Sequence, residues 1–317
     1  MTVLVTGAAG FLGSRVVTAL LADAYSGPPV SRIVAADISA CPIADPRVEV
    51  RVGTIADPAF AAAAVDGGVD VVFHLAAVLS GQSEAEFDVG MRVNVDGTRH
   101  LLQACRALGT APRFVFSSTV AVFGDDLPDV VPEDSVLRPQ SSYGTAKAIA
   151  ELLVNEYSRR GFVDGVSCRL ATVTVRPGAP NSALSSFVSG IIREPLAGVD
   201  AVCPVPLDTR LWISSPDAVT ANLLHAARVP APALGGRRSV NLPGLTVTPA
   251  EMLASLERAA GAAVRARVRC EIDPHVARVF ATWPGALDDA RARQLGFTAD
   301  RDLDEIVRQY LTEARTR

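Results

Sequence analysis

Met1-Thr2-Val3-Leu4-Val5-Thr6-Gly7-Ala8-Ala9-Gly10-Phe11-Leu12-Gly13 runs from an apolar strand through three spaced glycines into a helix. The first six residues have the apolar character of a strand buried in a parallel sheet. An apolar-periodic helix, expected over 11–24, follows without a break. Between them, Gly7 permits the tight turn, Gly10 lets a pyrophosphate approach the backbone, and Gly13 lets the helix pack close to the sheet. A phosphate there would meet the unpaired amides and the positive dipole end of the helix. A glycine triplet alone is a common turn; its strand-turn-helix setting gives it meaning here.

The second apolar strand, Ile33-Val34-Ala35-Ala36-Asp37, ends in a carboxylate. Asp37 would accept hydrogen bonds from adenosine ribose hydroxyls and repel the extra phosphate of NADP. No arginine follows it directly, so NAD is the expected cofactor. Further apolar runs are Val48–Val52, Asp70–Leu75, Arg113–Ser118 and Val166–Leu170. Helical stretches are expected over 58–65, 84–108 and 142–161. This alternation predicts an α/β fold, a Rossmann-like doubly wound parallel sheet with its ligand beyond the carboxyl ends of the strands. Gly7, Asp37, Thr54, Ala76 and Thr119 fall at or just after those ends.

One lysine stands among the 30 Lys and Arg residues of the chain, Lys147 in Tyr143-Gly144-Thr145-Ala146-Lys147. Positions i and i+4 share a helix face. Lys is a compact point charge, unlike the broad guanidinium fork of Arg. An unperturbed phenol has a pKa near 10, so ionisation at neutral pH needs a fall of roughly 3 units, about 4 kcal/mol. A cation, a positive nicotinamide ring and the helix N-terminus are together expected to lower it. Ser117-Ser118-Thr119 bring hydroxyls to a neighbouring strand end, although such residues also serve as caps.

With 317 residues, of which 49% are hydrophobic, the chain can bury a large core and a smaller lobe. A net charge of −4 and a pI near 5.6 give no support to nucleic-acid binding. The basic run Arg265–Arg269 alternates at strand period and reads as a solvated strand face. Cys41, Cys105, Cys168, Cys203 and Cys270 are scattered, without metal-like spacing, so no metal is expected and a reducing cytoplasm is. No basic segment precedes an apolar one at the start, and no apolar run is long enough for a bilayer, so no membrane association is expected.

After residue 170 the chain is irregular and Pro-rich, with helices expected over 184–193, 216–228, 249–260 and 302–315. Ser239-Val240-Asn241-Leu242 is a candidate to return one strand to the sheet. The expected division is an NAD-binding domain over 1–174 with a return segment near 211–244, and a C-terminal substrate lobe from 175–210 and 245–317. The apolar helices 84–108 and 142–161 suit a homodimer interface, and equally a buried contact within one chain.

T-G-x-x-G-x-x-G, Asp37, His74-Leu75-Ala76-Ala77, Asn94 in Val93-Asn94-Val95-Asp96-Gly97-Thr98, the Ser-Ser-Thr strand end and Tyr-x-x-x-Lys together resemble the extended short-chain dehydrogenases/reductases, the NAD-dependent epimerase/dehydratase family. The resemblance spans essentially the whole chain, in family order and spacing. It implies that Thr119, Tyr143 and Lys147 are catalytic and that Asn94 organises a water or backbone link supporting Lys147. It implies that Gly7, Gly10, Phe11, Leu12, Gly13, Asp37, Thr54, Ile55, Leu75, Ala76 and Ala77, with Asn94, Tyr143 and Lys147, line the NAD. Departures are Thr54 where an acid is common, Thr119 for Ser, Phe123 for Tyr, and Arg210–Asp217 in place of a more usual Arg-Asp-Phe-Ile-His-Val-x-Asp.

The stretches Leu75–Glu84 and Val175–Ser182 are similar to those of bacterial four-carbon sugar-acid dehydrogenases. That likeness implies NAD-dependent oxidation of the C2 hydroxyl of a small sugar acid, a step in carbohydrate metabolism. Substrate would meet Ser80, Ser118, Thr119, Tyr143, Asn181, and Arg176 or Arg210 as carboxylate anchor. Each Arg could equally form a structural ion pair with one of the chain's 34 acids. Two other functions remain open: a nucleotide-sugar epimerase or dehydratase, which keeps its NAD through the cycle, and a non-catalytic NAD-sensing scaffold.

Overall fold

A computed structural model describes residues 1–178 and 183–315. The first half alternates β1 (Thr2–Thr6), α1 (Phe11–Leu21), β2 (Arg32–Asp37), β3 (Val48–Val52), α2 (Pro58–Val65), β4 (Val71–His74), α3 (Ser80–Ala85), α4 (Phe87–Met91), a π-helical turn (Arg92–Gly97), α5 (Thr98–Leu108), β5 (Arg113–Thr119), a 3-10 turn (Val120–Val122), α6 (Ser142–Arg159) and β6 (Asp164–Leu170). The second half contains β7 (Thr172–Val173), α7 (Ser186–Leu196), β8 (Ala201–Cys203), β9 (Leu211–Ser214), α8 (Pro216–Ala226), α9 (Ala231–Leu234), β10 (Ser239–Asn241) and β11 (Leu245–Val247). It ends with α10 (Pro249–Ala260), α11 (Ala262–Arg265), β12 (Val268–Cys270), α12 (Pro274–Ala281), α13 (Ala290–Gln294) and α14 (Leu303–Arg315).

Seven strands form one parallel sheet in the order β10-β6-β5-β4-β1-β2-β3. The chain runs outward in both directions from β1 and β4, which makes the crevice beyond their carboxyl ends the switch point where such sheets hold ligands. Strand periodicity divides the apolar residues between two cores. Val3, Val5, Ile33, Ala35, Phe73 and Val115 face one side with Val16, Leu20, Val219 and Leu223 from α1 and α8. Leu4, Val34, Val72, Phe114 and Phe116 face the other with Leu101, Leu102 and Val154 from α5 and α6. Both faces being covered explains why these strands read as continuous apolar runs.

A third core joins Val188, Ile191, Leu211, Ile213, Met252, Leu256, Val268 and Ile306 around the small sheets β11-β9-β7 and β12-β8. Helix α10 covers 249–260 because Thr248 and Glu251 form a reciprocal capping box ahead of Pro249.

Four local expectations change. The stretch 84–108 is not one helix: backbone at Glu86 leaves the helical region (φ −130°, ψ 69°), and a π-helical turn follows before α5. Helix α1 ends at Leu21 rather than 24, and Tyr25 beyond it turns into the core. In the return segment near 211–244 the strand that rejoins the central sheet is β10, while β9 goes to the small sheet with β7 and β11. In the basic run, Arg265 closes a helix, and the strand is confined to 268–270, where Val268 is buried and Arg269 exposed.

Candidate active site

The glycine loop joins β1 to α1 at the switch point. Gly7 has φ +73°, and a Cβ there would lie 2.7 Å from the Ala76 amide nitrogen. A Cβ at Gly13 would stand 2.0 Å from the Gly7 carbonyl oxygen, so α1 can approach the loop only through glycine. No side chain caps α1, which begins at Phe11 and Leu12 with its amides facing outward from Gly10. Asp37 closes the other side, its Oδ2 accepting from the Ala9 amide at 3.0 Å and its Oδ1 from the Ser39 amide at 3.1 Å. A carboxylate has about four acceptor positions, so capacity remains for ribose hydroxyls. A loop without side chains, an uncapped helix and a strand-end acid fit a dinucleotide.

The segment after β4 lies over this loop. The Ala76 amide donates to Thr6 Oγ1 at 3.3 Å, and Leu75 to the Thr6 carbonyl at 3.2 Å. Ile55 is buried against Gly97, and Thr54 Oγ1 accepts from the Ala56 amide at 3.2 Å. Asn94 sits on the π-helical turn, a helical distortion frequent at functional sites. Its carboxamide accepts from the Val78 amide (2.8 Å) and donates to the Val78 carbonyl (3.0 Å). Asn94 therefore pins the segment after Ala77, bonding to Val78 and reaching Ser83 Oγ. His74 is fully buried between Thr6 Oγ1 (2.7 Å) and Thr98 Oγ1 (2.9 Å). Burial, helped by the charge of Lys147, pulls its pKa down to about 3, so it is neutral.

Tyr143 and Lys147 share one face of α6. Ser141 caps that helix through the Gly144 amide, and Glu84 accepts from the Ser142 amide at 2.5 Å. A Cβ at Gly144 would lie 2.3 Å from the Ala121 carbonyl oxygen. The helix N-terminus thus rests directly on the 3-10 turn after Thr119, whose Oγ1 accepts from the Ala121 amide at 3.2 Å. Lys147 is 2% exposed, and its Nζ donates to the Ser117 carbonyl at 2.8 Å. That ammonium lies 4.6 Å from the Phe116 ring centroid and 5.6 Å from the Tyr143 ring centroid.

Among the protein's own groups, burial dominates the electrostatics of this pair. Burial pushes the Tyr143 phenol up to about 12. Burial also pulls Lys147 down to about 7, opposed by the charge of Glu151. Desolvation is thus what sets the phenol among the protein's own groups.

Ser118, a candidate to hold substrate, has its hydroxyl engaged elsewhere: it is buried and donates to Glu151 Oε1 at 2.5 Å. Ser80 is buried, and its hydroxyl accepts from the Leu184 amide at 3.3 Å. Arg176 lies in a partly buried setting, where burial and the nearby Arg193 lower its proton affinity. Its backbone is held by Ser189 Oγ (3.0 Å) and Arg193 Nη1 (2.8 Å). Arg210 is 43% exposed and lies 3.6 Å from Asp129. Asn181 lies outside the described residues.

Sequence reasoning missed the Ser117 carbonyl, His74 as an organising group, and Glu151. Glu151 carried a signal, since it follows Lys147 by one helical turn. A broad cleft of about 1170 Å³ lies among α1, α8 and α14, lined by Arg15, Asp217, Arg228 and Glu313, and contains none of Thr119, Tyr143 and Lys147.

The family model for the NAD dependent epimerase/dehydratase family matches residues 3–237. The chain is 51% identical to D-erythronate dehydrogenase of Cupriavidus necator over 99% of both chains. It is 41% identical to the protein of that name from Haemophilus influenzae, over 98% of this chain and 99% of that one. Among solved structures, one described as the nucleoside-diphosphate-sugar epimerase from Agrobacterium tumefaciens superimposes with a TM-score of 0.95 at 40% identity, covering 100% of this chain and 95% of that one.

Proposed function

The chain belongs to the NAD-dependent epimerase/dehydratase family, and from that premise we propose that it oxidises the C2 hydroxyl of D-erythronate to 2-dehydro-D-erythronate with reduction of NAD. The observation that carries the reaction class is the pairing of Tyr143 with a buried Lys147 on one face of α6, the start of which rests on the turn after Thr119. The substrate comes from the full-length likeness to the two D-erythronate dehydrogenases.

Bound NAD would supply the hydride acceptor and a positive ring near the phenol. Gly7, Gly10 and Gly13 would leave room for the pyrophosphate, and Asp37 would take the adenosine ribose. Tyr143 removes the hydroxyl proton while the C2 hydrogen leaves as hydride, so that a C2 carbonyl forms. Lys147, held on the Ser117 carbonyl, stabilises the phenolate. Thr119 orients the reacting oxygen alone, since Ser118 is bonded to Glu151. Arg176 is the better carboxylate anchor: it is partly buried with the positive charge of Arg193 beside it, whereas Arg210 is exposed and close to Asp129. Fixing substrate this way can contribute roughly 7–11 kcal/mol of barrier reduction.

A nucleotide-sugar reaction is the second reading, favoured by the description of the superimposed structure. The two separate on NADH absorbance with a panel of four- to six-carbon sugar acids. Release with D-erythronate is expected; silence across the panel, with NAD tightly bound, would move the assignment to the second reading. A cytoplasmic location belongs to the same proposal, since the five cysteines are free thiols. A homodimer through the face carrying Phe87 and Leu152, exposed at 57% and 69%, also belongs to it. Light scattering at the monomer mass would refute the dimer.

A further inference from the structure

We propose that Glu151 is a positioning residue for the reaction: it clamps α6, which carries Tyr143 and Lys147, to the end of β5 that carries Thr119, and ties that clamp to the C-terminal half of the chain. The inference rests on the hydride-transfer reading above.

Helix α6 is tied to β5 twice, one turn apart. Lys147 Nζ donates to the Ser117 carbonyl at 2.8 Å, and Glu151 Oε1 accepts from Ser118 Oγ at 2.5 Å. The two bonds take consecutive residues of one strand, so together they fix both the height and the rotation of the helix. Glu151 is itself held rigidly. It is 3% exposed, and Arg169 of β6 grips it through Nε (3.0 Å to Oε1) and Nη2 (2.8 Å to Oε2). Ser239 of β10 donates to Oε2 at 2.8 Å. Arg169 also donates to the Glu133 carbonyl at 2.8 Å, and the Glu133 carboxylate takes Arg291 Nη1 at 2.7 Å. The axial position of the catalytic helix is therefore set from three strands and from α13.

A buried ion pair is often no more stabilising than apolar residues of the same shape. Stability is thus a weak reason for four groups to converge on one carboxylate, whereas geometry is a sufficient one. The carboxylate also supplies the nearest negative charge to Lys147 on its own helix. From β4, His74 faces the ammonium as a neutral ring; from β5 come the Ser117 carbonyl and the Phe116 ring. Glu84 of α3 stands at the start of α6, and Arg169 offsets part of the charge of Glu151.

The test compares Ser118→Ala and Glu151→Gln with the unaltered full chain in saturating NAD. Three quantities are read: the thermal melt, kcat and KM with D-erythronate, and the pH midpoint of Tyr143 ionisation. The midpoint comes from phenolate absorbance after subtraction of Tyr143→Phe. Ser118→Ala should lower kcat about tenfold, through displacement of the phenol by a fraction of an ångström, with KM and NAD affinity within about twofold. Glu151→Gln should lower kcat further and move the Tyr143 midpoint up by about one pH unit, because Lys147 loses the anion that favours its charged form. Both variants melting lower with unchanged kcat and midpoint would overturn the proposal and leave Glu151 a structural group. If Glu151→Gln does not fold, Ser118→Ala decides, since it removes one hydrogen bond and no charge. If the unaltered chain gives no NADH with any sugar acid, the substrate reading falls while the Tyr143 midpoint still decides this one.

Discussion

Replacing Gly144 with Ala tests the active-site geometry with a single methyl group. Its Cβ would stand 2.3 Å from the Ala121 carbonyl oxygen and 3.0 Å from Pro139 Cβ. Ordinary contact begins near 3.4 Å, so the start of α6 must retreat by about 1 Å from the turn that follows Thr119. Ala121 cannot yield easily, because its amide is held by Thr119 Oγ1. Tyr143 is the preceding residue and must move with the helix. A misplacement of about 1 Å can cost on the order of 100-fold in rate. Overpacking costs about 1–3 kcal/mol of stability, partly offset by the better helix propensity of Ala over Gly, up to about 1 kcal/mol. Steady-state NADH formation with D-erythronate, NAD affinity by titration calorimetry and a thermal melt would be read together. The expected result is a loss of roughly two orders of magnitude in kcat, near-normal NAD affinity and a modestly lowered melt. A variant that folds and keeps more than half its kcat would refute the argued closeness of helix and strand end.

Tyr143→Phe should abolish turnover while NAD affinity stays within about threefold, less than 1 kcal/mol, by calorimetry; loss of binding in a folded variant would contradict its role as base. Asp37→Ala should narrow the preference for NAD over NADP by at least about tenfold, or 1.4 kcal/mol, measured as the ratio of the two affinities, and an unchanged ratio would count against a ribose contact. Arg176→Met should raise KM for D-erythronate by about tenfold or more with little change for NAD, whereas Arg210→Met should leave KM nearly unchanged, and the reverse pattern would exchange their roles. Because burial lowers Lys147 to about 7 from 10.5, the unfolded chain binds the extra proton between those values, so this residue's contribution to stability rises with pH from 7 to 10.5. Urea melts of the protein without added NAD should show that rise, about 1.4 kcal/mol per unit at most, and Lys147→Met should remove it; equal slopes in the two proteins would refute it.

Much of the fold was legible because its signals are local. The strand-glycine-helix start, Asp37 at a strand end and the helix expected over 249–260 each rest on residues a few positions apart, and each gave the right element. What failed depends on tertiary contact. Helical periodicity over 84–108 hides the break at Glu86 and the π-helical turn, whose Asn94 is bonded to Val78, 16 residues earlier. The strand Ser239–Asn241 is legible as a strand but not as the neighbour of β6, a pairing across more than 70 residues. At the site, the proximity of the α6 start to the strand end bearing Thr119 was readable from type and spacing, but the bond of Ser118 to Glu151 was not. Nothing local tells a hydroxyl facing substrate from one facing Glu151, 33 residues away. The upward push of burial on Tyr143 was not legible either, since it is decided by how much water the fold removes.

The solitary lysine follows from the same balance of burial and charge. A guanidinium at position 147 would stay charged at any depth, and its broad fork would need several acceptors where one backbone carbonyl is offered. An ammonium of that size fits between the Phe116 ring and the Ser117 carbonyl. It can also be depressed to about 7 by burial and held there against further loss by Glu151. Its proton affinity then lies near neutrality, where a modest change in local charge decides its state. Tyr143, pushed upward by the same burial, keeps its proton until charge arrives beside it. The pair therefore responds to an added positive charge in opposite senses: the phenol ionises more readily, and the ammonium less favourably unless the new phenolate compensates. Only with Glu151 fixed on one side and the phenolate forming on the other does Lys147 have anions flanking it along its own helix. That requirement is the reason the carboxylate one turn on matters as much to the site as the phenol one turn before.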